Sequence, residues 1–280
     1  MGKLYVVGTP IGNLGDFSPR AAAILEEVDF IAAEDTRVTL KLLNHLGLKK
    51  PMVSYYEHNL RERGQQIVDR ILAGETCAVV SDAGMPCISD PGEDLVRLCA
   101  RQGVEVAVIP GPSAAISALA VSGLITSRFT FEGFLSTNRV SRGEHLEGLK
   151  GERRTMILYE APHKLLGTLS DLRDTFGGER KISVCRELTK IHEEILRTDL
   201  DGAIRTFEER TPKGEFVLVL EGKAEEPAEE MTLEQAVELA ESYVSDGMKA
   251  TDAAREAARV CGFKKADIYR RLIGGCSNNP

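Results

Sequence analysis

The stretch Thr76-Cys77-Ala78-Val79-Val80-Ser81-Asp82-Ala83-Gly84-Met85-Pro86-Cys87-Ile88-Ser89-Asp90-Pro91-Gly92-Glu93-Asp94-Leu95-Val96-Arg97-Leu98-Cys99-Ala100 decides the fold. It opens with a short apolar run, β-branched enough for a strand buried on both faces. From Glu93 onward the apolar residues recur at helical spacing. Between strand and helix lies a loop of small, turn-forming and acidic residues, with Asp90 placed as a cap and Pro91 at the first helical position. In open α/β sheets, ligands bind at the carboxyl ends of strands, where this loop sits. Ala83, Gly84 and Gly92 let a ligand lie against the backbone, and Asp82 can accept hydrogen bonds from it.

The alternation extends in both directions. Residues 3–8 and 28–33 read as strands, and 19–27, 36–46 and 60–73 as helices, the last ended by Gly74. Residues 104–109 form a further strand and 112–121 a helix. This order predicts an α/β fold, a mostly parallel sheet with helices on both faces. A second series starts near Arg128, with strands at 129–134, 155–159, 181–186 and 216–220, helices at 164–176 and 200–209, and a polar, basic segment at 137–154. It reads as a second α/β domain. Residues 223–230 are acidic and contain Pro227, a linker composition. Beyond them the chain is helical at 233–244, 251–260 and 265–272, the last two forming a helix-turn-helix-like unit. The expected domains are therefore 1–122, 123–222 and a helical tail at 231–276, with the linker before the tail.

The chain is 42% apolar, enough for real cores, and carries no Trp and 5% aromatic residues. That argues against an aromatic base-stacking platform for RNA. The net charge of −8 leaves any contact with nucleic acid to a local basic patch. One such patch runs from Lys249 to Arg271. It holds seven basic residues (Lys249, Arg255, Arg259, Lys264, Lys265, Arg270, Arg271) against three acidic ones (Asp252, Glu256, Asp267), a local +4. It suits phosphate contact, and equally a solvated helical bundle. The N-terminus shows no leader pattern and no apolar run approaches about 18 residues, which reads as a cytosolic protein with no membrane partner. Six scattered cysteines without Cys-x-x-Cys spacing read as reduced thiols, with no metal site expected.

Several other loops at strand ends carry polar groups. Gly8-Thr9-Pro10-Ile11-Gly12-Asn13-Leu14-Gly15-Asp16 follows the first strand and is neither G-x-G-x-x-G nor a Walker loop. Glu34-Asp35-Thr36-Arg37 ends the second strand. It reads either as a helix start, Asp35 capping and Glu34 paired with Arg37, or as an acid/base and phosphate-clamping cluster. Ser54–Asn59 contains His58, a candidate general base. Pro110-Gly111-Pro112-Ser113-Ala114-Ala115 presents small side chains and free backbone donors. In the second series, Tyr159-Glu160-Ala161-Pro162-His163-Lys164, Arg186–Glu194 and Thr211–Glu215 end or begin strands. Together these loops suit the lining of a cleft between two domains.

As a set, the loops beginning at Gly8, Glu34, Ser81 and Pro110, with Arg186-Glu187-Leu188-Thr189-Lys190, resemble the ribosomal RNA small subunit methyltransferase I group of the tetrapyrrole methylase (class III methyltransferase) superfamily. The resemblance spans the whole chain, tail included. It implies S-adenosylmethionine as methyl donor, folded in a cleft between two α/β domains of a homodimer. It further implies 2′-O-methylation of cytidine 1402 in 16S rRNA, within the small ribosomal subunit. The chain departs from the group in having Met85-Pro86-Cys87 for Thr-Pro-Leu, Ala161 and Lys164 for Ser and Arg, and Tyr56 where His is frequent. Lys164 gives up the bidentate grip an Arg would make.

Methyl transfer from a sulfonium to a hydroxyl is an in-line displacement that mainly needs alignment, helped by a base as the proton leaves. The candidates for catalysis are Glu34, Asp35, Arg37, His58 and Glu160. Those for the donor are Pro10, Asp82, Ala83, Gly84, Met85, Ser113, Ala114, Ala115, Tyr159, Lys213 and Gly214. RNA contacts are expected from Lys164, Lys249, Arg255, Lys264, Lys265, Arg270 and Arg271. Two other readings stay open: a C-methyltransferase acting on a precorrin or uroporphyrinogen ring, and a DNA-binding regulator that reads duplex through the helical tail.

Overall fold

In the computed structural model, residues 2–56, 60–224 and 231–275 are described. The chain divides into two compact units, Met1–Lys223 and Ala224–Pro280.

The first unit contains two sheets. Strands β1 (Lys3–Val7), β2 (Phe30–Ala33), β3 (Met52–Ser54), β4 (Cys77–Val80) and β5 (Glu105–Ile109) form a sheet in the order β3-β2-β4-β1-β5, every neighbouring pair parallel. Helices α1 (Pro19–Glu27), α2 (Thr36–His45), α3 (Leu60–Leu72) and α4 (Glu93–Arg101) cover its two faces. Alternate residues of one strand serve opposite cores. Leu4, Phe30, Cys77 and Val79 pack with Ile67, Ile71 and Leu95, while Val7, Ile31, Ala78 and Val80 pack with Leu25, Leu42 and Leu43. That is why β4 is apolar at every position rather than at alternate ones.

The second sheet joins β6 (Phe129–Phe134), β7 (Thr155–Glu160), β8 (Lys181–Arg186), β9 (Glu194–Asp199) and β10 (Phe216–Leu220), in the order β6-β7-β10-β8-β9. It is not mostly parallel. Only β6 and β7 run parallel; β10 lies antiparallel between β7 and β8, and β8 and β9 form an antiparallel pair. Helices α6 (Arg139–Leu149), α7 (Leu165–Phe176) and α8 (Leu200–Glu208) form a core with Met156, Leu158, Val184 and Leu218 on one face.

Helix α5 (Ala114–Val121) covers the other face. Its Ala115, Ala118 and Leu119 pack with Ile157, Cys185, Val217 and Val219, and with Ile11 and Leu188 from two loops. It leaves the first sheet and packs on the second, so it fixes one against the other. The connection that follows is pinned as well. Thr155 Oγ1 donates to the Ile125 carbonyl at 2.6 Å, and Arg197 Nε to the Val121 carbonyl at 3.1 Å.

The second unit is a helical bundle of α9 (Leu233–Ser245), α10 (Ala250–Cys261) and α11 (Lys265–Gly275). Thr232 and Gln235 cap α9 reciprocally. The core is Ala236, Ala240, Ala254, Ala257, Ile268 and Leu272, with small residues that let the helices approach closely. Gly262 ends α10 at φ +74°, the left-handed position that a short turn into α11 requires.

Candidate active site

Three loops of the first sheet meet at the carboxyl ends of β1, β4 and β5. The Thr9 N–H donates to the Gly84 carbonyl at 2.8 Å, the Gly84 N–H returns a bond to the Thr9 carbonyl at 3.2 Å, and Thr9 Oγ1 donates to the Ser81 carbonyl at 3.2 Å. Gly8 and Gly111 touch through their backbones: a Cβ on Gly111 would stand 2.8 Å from Gly8 Cα. No side chain fits at either position. Met85 closes the third side, its Sδ accepting the Gly111 N–H at 3.2 Å.

Above these loops lies a cavity of about 320 Å³ between the two sheets. Ile11, Ala83, Gly84, Met85, Ser113 and Ala114 line it from the first sheet's side. Phe134, Tyr159, Cys185, Leu188, Phe216 and Val217 line it from the second. The volume lies in the range of pockets for small organic ligands, roughly 300–1,000 Å³. Tyr159 is held edge-on by Phe131 and Phe134, at 5.1 and 5.5 Å between ring centroids. Its hydroxyl accepts the Ala115 N–H at 3.2 Å, which leaves its own proton for a further acceptor.

Four carboxylates gather beside this floor. Asp35 caps α2 and is gripped by Arg37, whose Nε lies 3.0 Å from Oδ1 and whose terminal nitrogen lies 2.6 Å from Oδ2. That contact holds the Asp35 carboxyl down at about 2. Glu34 is not paired with Arg37. Its Oε2 accepts the Asp82 N–H at 3.2 Å, while Asp82 Oδ1 accepts the Asp35 N–H at 3.1 Å. Burial raises both Glu34 and Asp82 from their ordinary values; the Asp35 charge adds to both, and the Asp82 charge to Glu34. The fourth is Asp90. It does not cap α4. That helix starts at Glu93 behind Gly92, whose φ of +130° turns the chain and leaves no side-chain cap. Asp90 lines the cavity instead, and burial, then the Glu34 charge, push it up to about 6.

Of the residues expected at the donor site, Ala83, Gly84, Met85, Ser113, Ala114 and Tyr159 line the cavity. Pro10, Asp82, Ala115, Lys213 and Gly214 do not line it. The Lys213 carbonyl accepts from Arg186 Nε at 2.5 Å, and Gly214 sits at φ +89° against the Glu187 side chain. Glu160 lines the cavity, yet both its oxygens are engaged, by the Ala161 N–H at 2.7 Å and by the Thr168 hydroxyl. Glu34, Asp35 and Arg37 form one cluster with Asp82; His58 lies outside the described residues. Lys164 is exposed at the start of α7. In the helical unit, Arg255, Arg259, Arg270 and Arg271 are paired with Asp252, Glu256, Asp267 and Glu234, and Lys249, Lys264 and Lys265 are exposed. Among the described residues, no group of three or more His, Cys, Asp or Glu side chains is placed to hold a metal ion.

Asp90 and Glu215 escaped the sequence reading. The dipeptide Ser-Asp occurs twice in the loop, at Ser81-Asp82 and Ser89-Asp90. That repetition does not tell the two aspartates apart: Asp90 lines the cavity and Asp82 does not.

Residues 3–204 match the family model of the Tetrapyrrole (Corrin/Porphyrin) Methylases. The chain belongs to this family. A Synechocystis protein named Ribosomal RNA small subunit methyltransferase I is 48% identical over 270 residues, covering 96% of this chain and 97% of that one. A Thermotoga maritima protein of the same name is 49% identical over 223 residues, covering 80% of this chain and 100% of its own. Among solved structures, the methyltransferase CobJ superposes with a TM-score of 0.61 at 20% identity, over 80% of this chain and 95% of that one. That likeness concerns the fold alone. As a tetrapyrrole methylase, the chain is a methyltransferase.

Proposed function

We propose that this tetrapyrrole methylase transfers a methyl group from S-adenosylmethionine to the ribose 2′-hydroxyl of cytidine 1402 in 16S rRNA, within the assembled small subunit, as a cytoplasmic homodimer. The observation that carries the reading is the 48% identity, over nearly the full length of both chains, to a protein named for small-subunit RNA methylation. The cavity is consistent with the donor. Its floor of Ala83, Gly84, Ser113 and Ala114 has few side-chain atoms to exclude a nucleoside, and Gly84 at φ +87° presents backbone to the space. Aromatic and aliphatic walls exclude water. When bound, S-adenosylmethionine supplies a methyl on a cationic sulfur, so the chain's part is to seat it, align the acceptor oxygen and take up a proton. Exposed Val108, Ile116 and Ile125, on β5, α5 and the loop beyond, offer apolar surface to a second copy.

The test is mass mapping of ribose methylation in small-subunit RNA from cells with and without the protein, followed by restoration with purified enzyme and S-adenosylmethionine. A ribose methyl at the decoding-site cytidine that appears only with the enzyme is expected. Methylation confined to a tetrapyrrole substrate would replace this reading with the C-methyltransferase one.

A further inference from the structure

We propose that Asp90 is the group that takes the proton from the acceptor hydroxyl. The inference rests on the methyl-transfer reading above and assigns a residue to its proton.

Among the described residues, three carboxylates line the cavity: Asp90, Glu160 and Glu215. Glu160 has both oxygens committed to the Ala161 N–H and the Thr168 hydroxyl, a buried arrangement that serves β7 and α7. Glu215 is in an ion pair with Lys190 at 2.7 Å, and Lys190 also holds Glu187 at 2.9 Å. Of the adjacent cluster, Asp35 is neutralised by Arg37, while Glu34 and Asp82 bond each other's loops. Asp90 has no Lys or Arg beside it among the described residues, and the neutral Ser81 hydroxyl, whose buried oxygen makes no hydrogen bond among them, is its polar neighbour. It is therefore the cavity carboxylate with lone pairs to spare for a substrate proton.

The loop is built to hold it there. Cys87 and Ser89 adopt φ of +72° and +60°, costly for residues with a Cβ and paid for by what they touch. The Cys87 thiol sits in the core under the sheet, against Gly92. The Ser89 hydroxyl stands 3.1 Å from the point a Cβ on Gly133 would occupy, at the β6 bulge of the opposite sheet. Thus Asp90 is fixed from both sides of the cavity.

Among the described residues, every charged group facing it acts in one direction. Glu34 after β2 and Asp82 after β4 repel its charge, as burial does, and only the Ser81 hydroxyl opposes them. Burial raises the Tyr159 phenol from β7 and the Cys87 thiol on its loop, and the Asp90 charge adds to both. A base at about 6 is ionised at neutral pH and basic enough to receive a proton. In the step, the acceptor oxygen bonds to the methyl carbon as the carbon–sulfur bond breaks. The bonding pair stays on sulfur, giving a neutral thioether, and the hydroxyl proton passes to Asp90 and then to water.

The experiment compares Asp90→Asn with the wild-type enzyme in two readouts: calorimetric affinity for S-adenosylmethionine, and single-turnover methylation of assembled small-subunit RNA between pH 5 and 9. Expected are a donor Kd within about threefold and a rate lower by roughly 100-fold or more. The wild-type rate should fall below pH about 6, and the variant's residual rate should lack that limb. A variant rate within tenfold of wild type, or a rate loss matched by lost donor affinity, overturns the proposal. So does a wild-type rate that stays flat to pH 5, a result that needs no variant to fold. If the wild type methylates no small-subunit RNA, it is the functional reading that fails; a fast Asp90→Asn on an RNA the wild type does methylate removes Asp90 alone.

Discussion

Met85 and Cys87 are explained by what lies beneath the loop. The Met85 sulfur receives the Gly111 N–H and fills the angle between the Gly8 and Gly111 backbones. A flexible thioether does this where a shorter side chain would leave a gap. Cys87 is a small apolar plug whose thiol burial pushes up to about 11, so it is neither nucleophile nor ligand. The contact between Gly8 and Gly111 involves backbone on both sides, and nothing there can swing away. Gly111→Ala would place Cβ 2.8 Å from Gly8 Cα. It is expected to destabilise the protein by roughly 1–3 kcal/mol and to weaken S-adenosylmethionine binding, read by urea unfolding and by calorimetry. Asp90 shows the limit of local reading. A Ser-Asp-Pro-Gly string has the chemistry of a helix start. Only the positive φ of Gly92 and the second sheet's proximity redirect the carboxylate into a cavity, and neither is written within four residues.

The elements legible in the sequence were those whose pattern is set by burial from within the chain's own neighbourhood. All of β1, β2, β4, β5 and β10 were, and so were the helices that cover the first sheet. Those missed depend on distant partners. Strand β3 is three residues long and half-buried at the sheet edge. Helix α6 buries only Leu146 and Leu149 and contains two glycines, so its sequence looks like a polar loop until Asn138 caps it. Strand β9 exists through its antiparallel register with β8, Cys185 facing Ile195 and Lys181 facing Asp199, a pairing that its own residues do not announce. Helix α5 was found but its role was not, since apolarity all round says buried and does not say against what. Ala118 is fully buried between α5 and the second sheet. Ala118→Leu is expected to force the sheets apart, costing roughly 1–3 kcal/mol in stability. Because the cavity spans the two sheets, donor affinity should fall with it, and a variant with lowered melting but unchanged affinity would show that α5 does not set the cavity's width.

At the scale of the molecule, the proposed function assigns donor binding and catalysis to the first unit and RNA contact to the helical one. The helical unit has its own core. Truncation after Glu230 is therefore expected to spare donor affinity and weaken RNA binding. With the four arginines already paired, the three exposed lysines should account for a drop of roughly 2–3 in the slope of log affinity against log salt; equal losses in donor and RNA affinity would contradict this. The carboxylate cluster governs the catalytic unit, and its members carry opposite signs. Asp35, depressed to about 2 from an ordinary 3.8, stabilises the fold above about pH 4 and loses that contribution as pH falls through 2. Asp90, raised to about 6 from 3.8, does the reverse. Between about pH 4 and 6 the native state keeps a proton that the unfolded chain has already released, so stability drops across that window and stays lower above it. Glu34 and Asp82, also raised, act in the same sense. At about 1.36 kcal/mol per unit, the Asp90 shift corresponds to about 3 kcal/mol at most. Asp90→Asn, which cannot ionise, should therefore be more stable than the wild type at pH 8, by about 1–3 kcal/mol, and equal to it at pH 4. Urea unfolding at the two pH values measures the difference. A variant that turns over slowly while unfolding later is the signature of a carboxylate kept charged for chemistry against the preference of the fold, whereas a variant less stable at both pH values would mean that Asp90 is a structural acceptor.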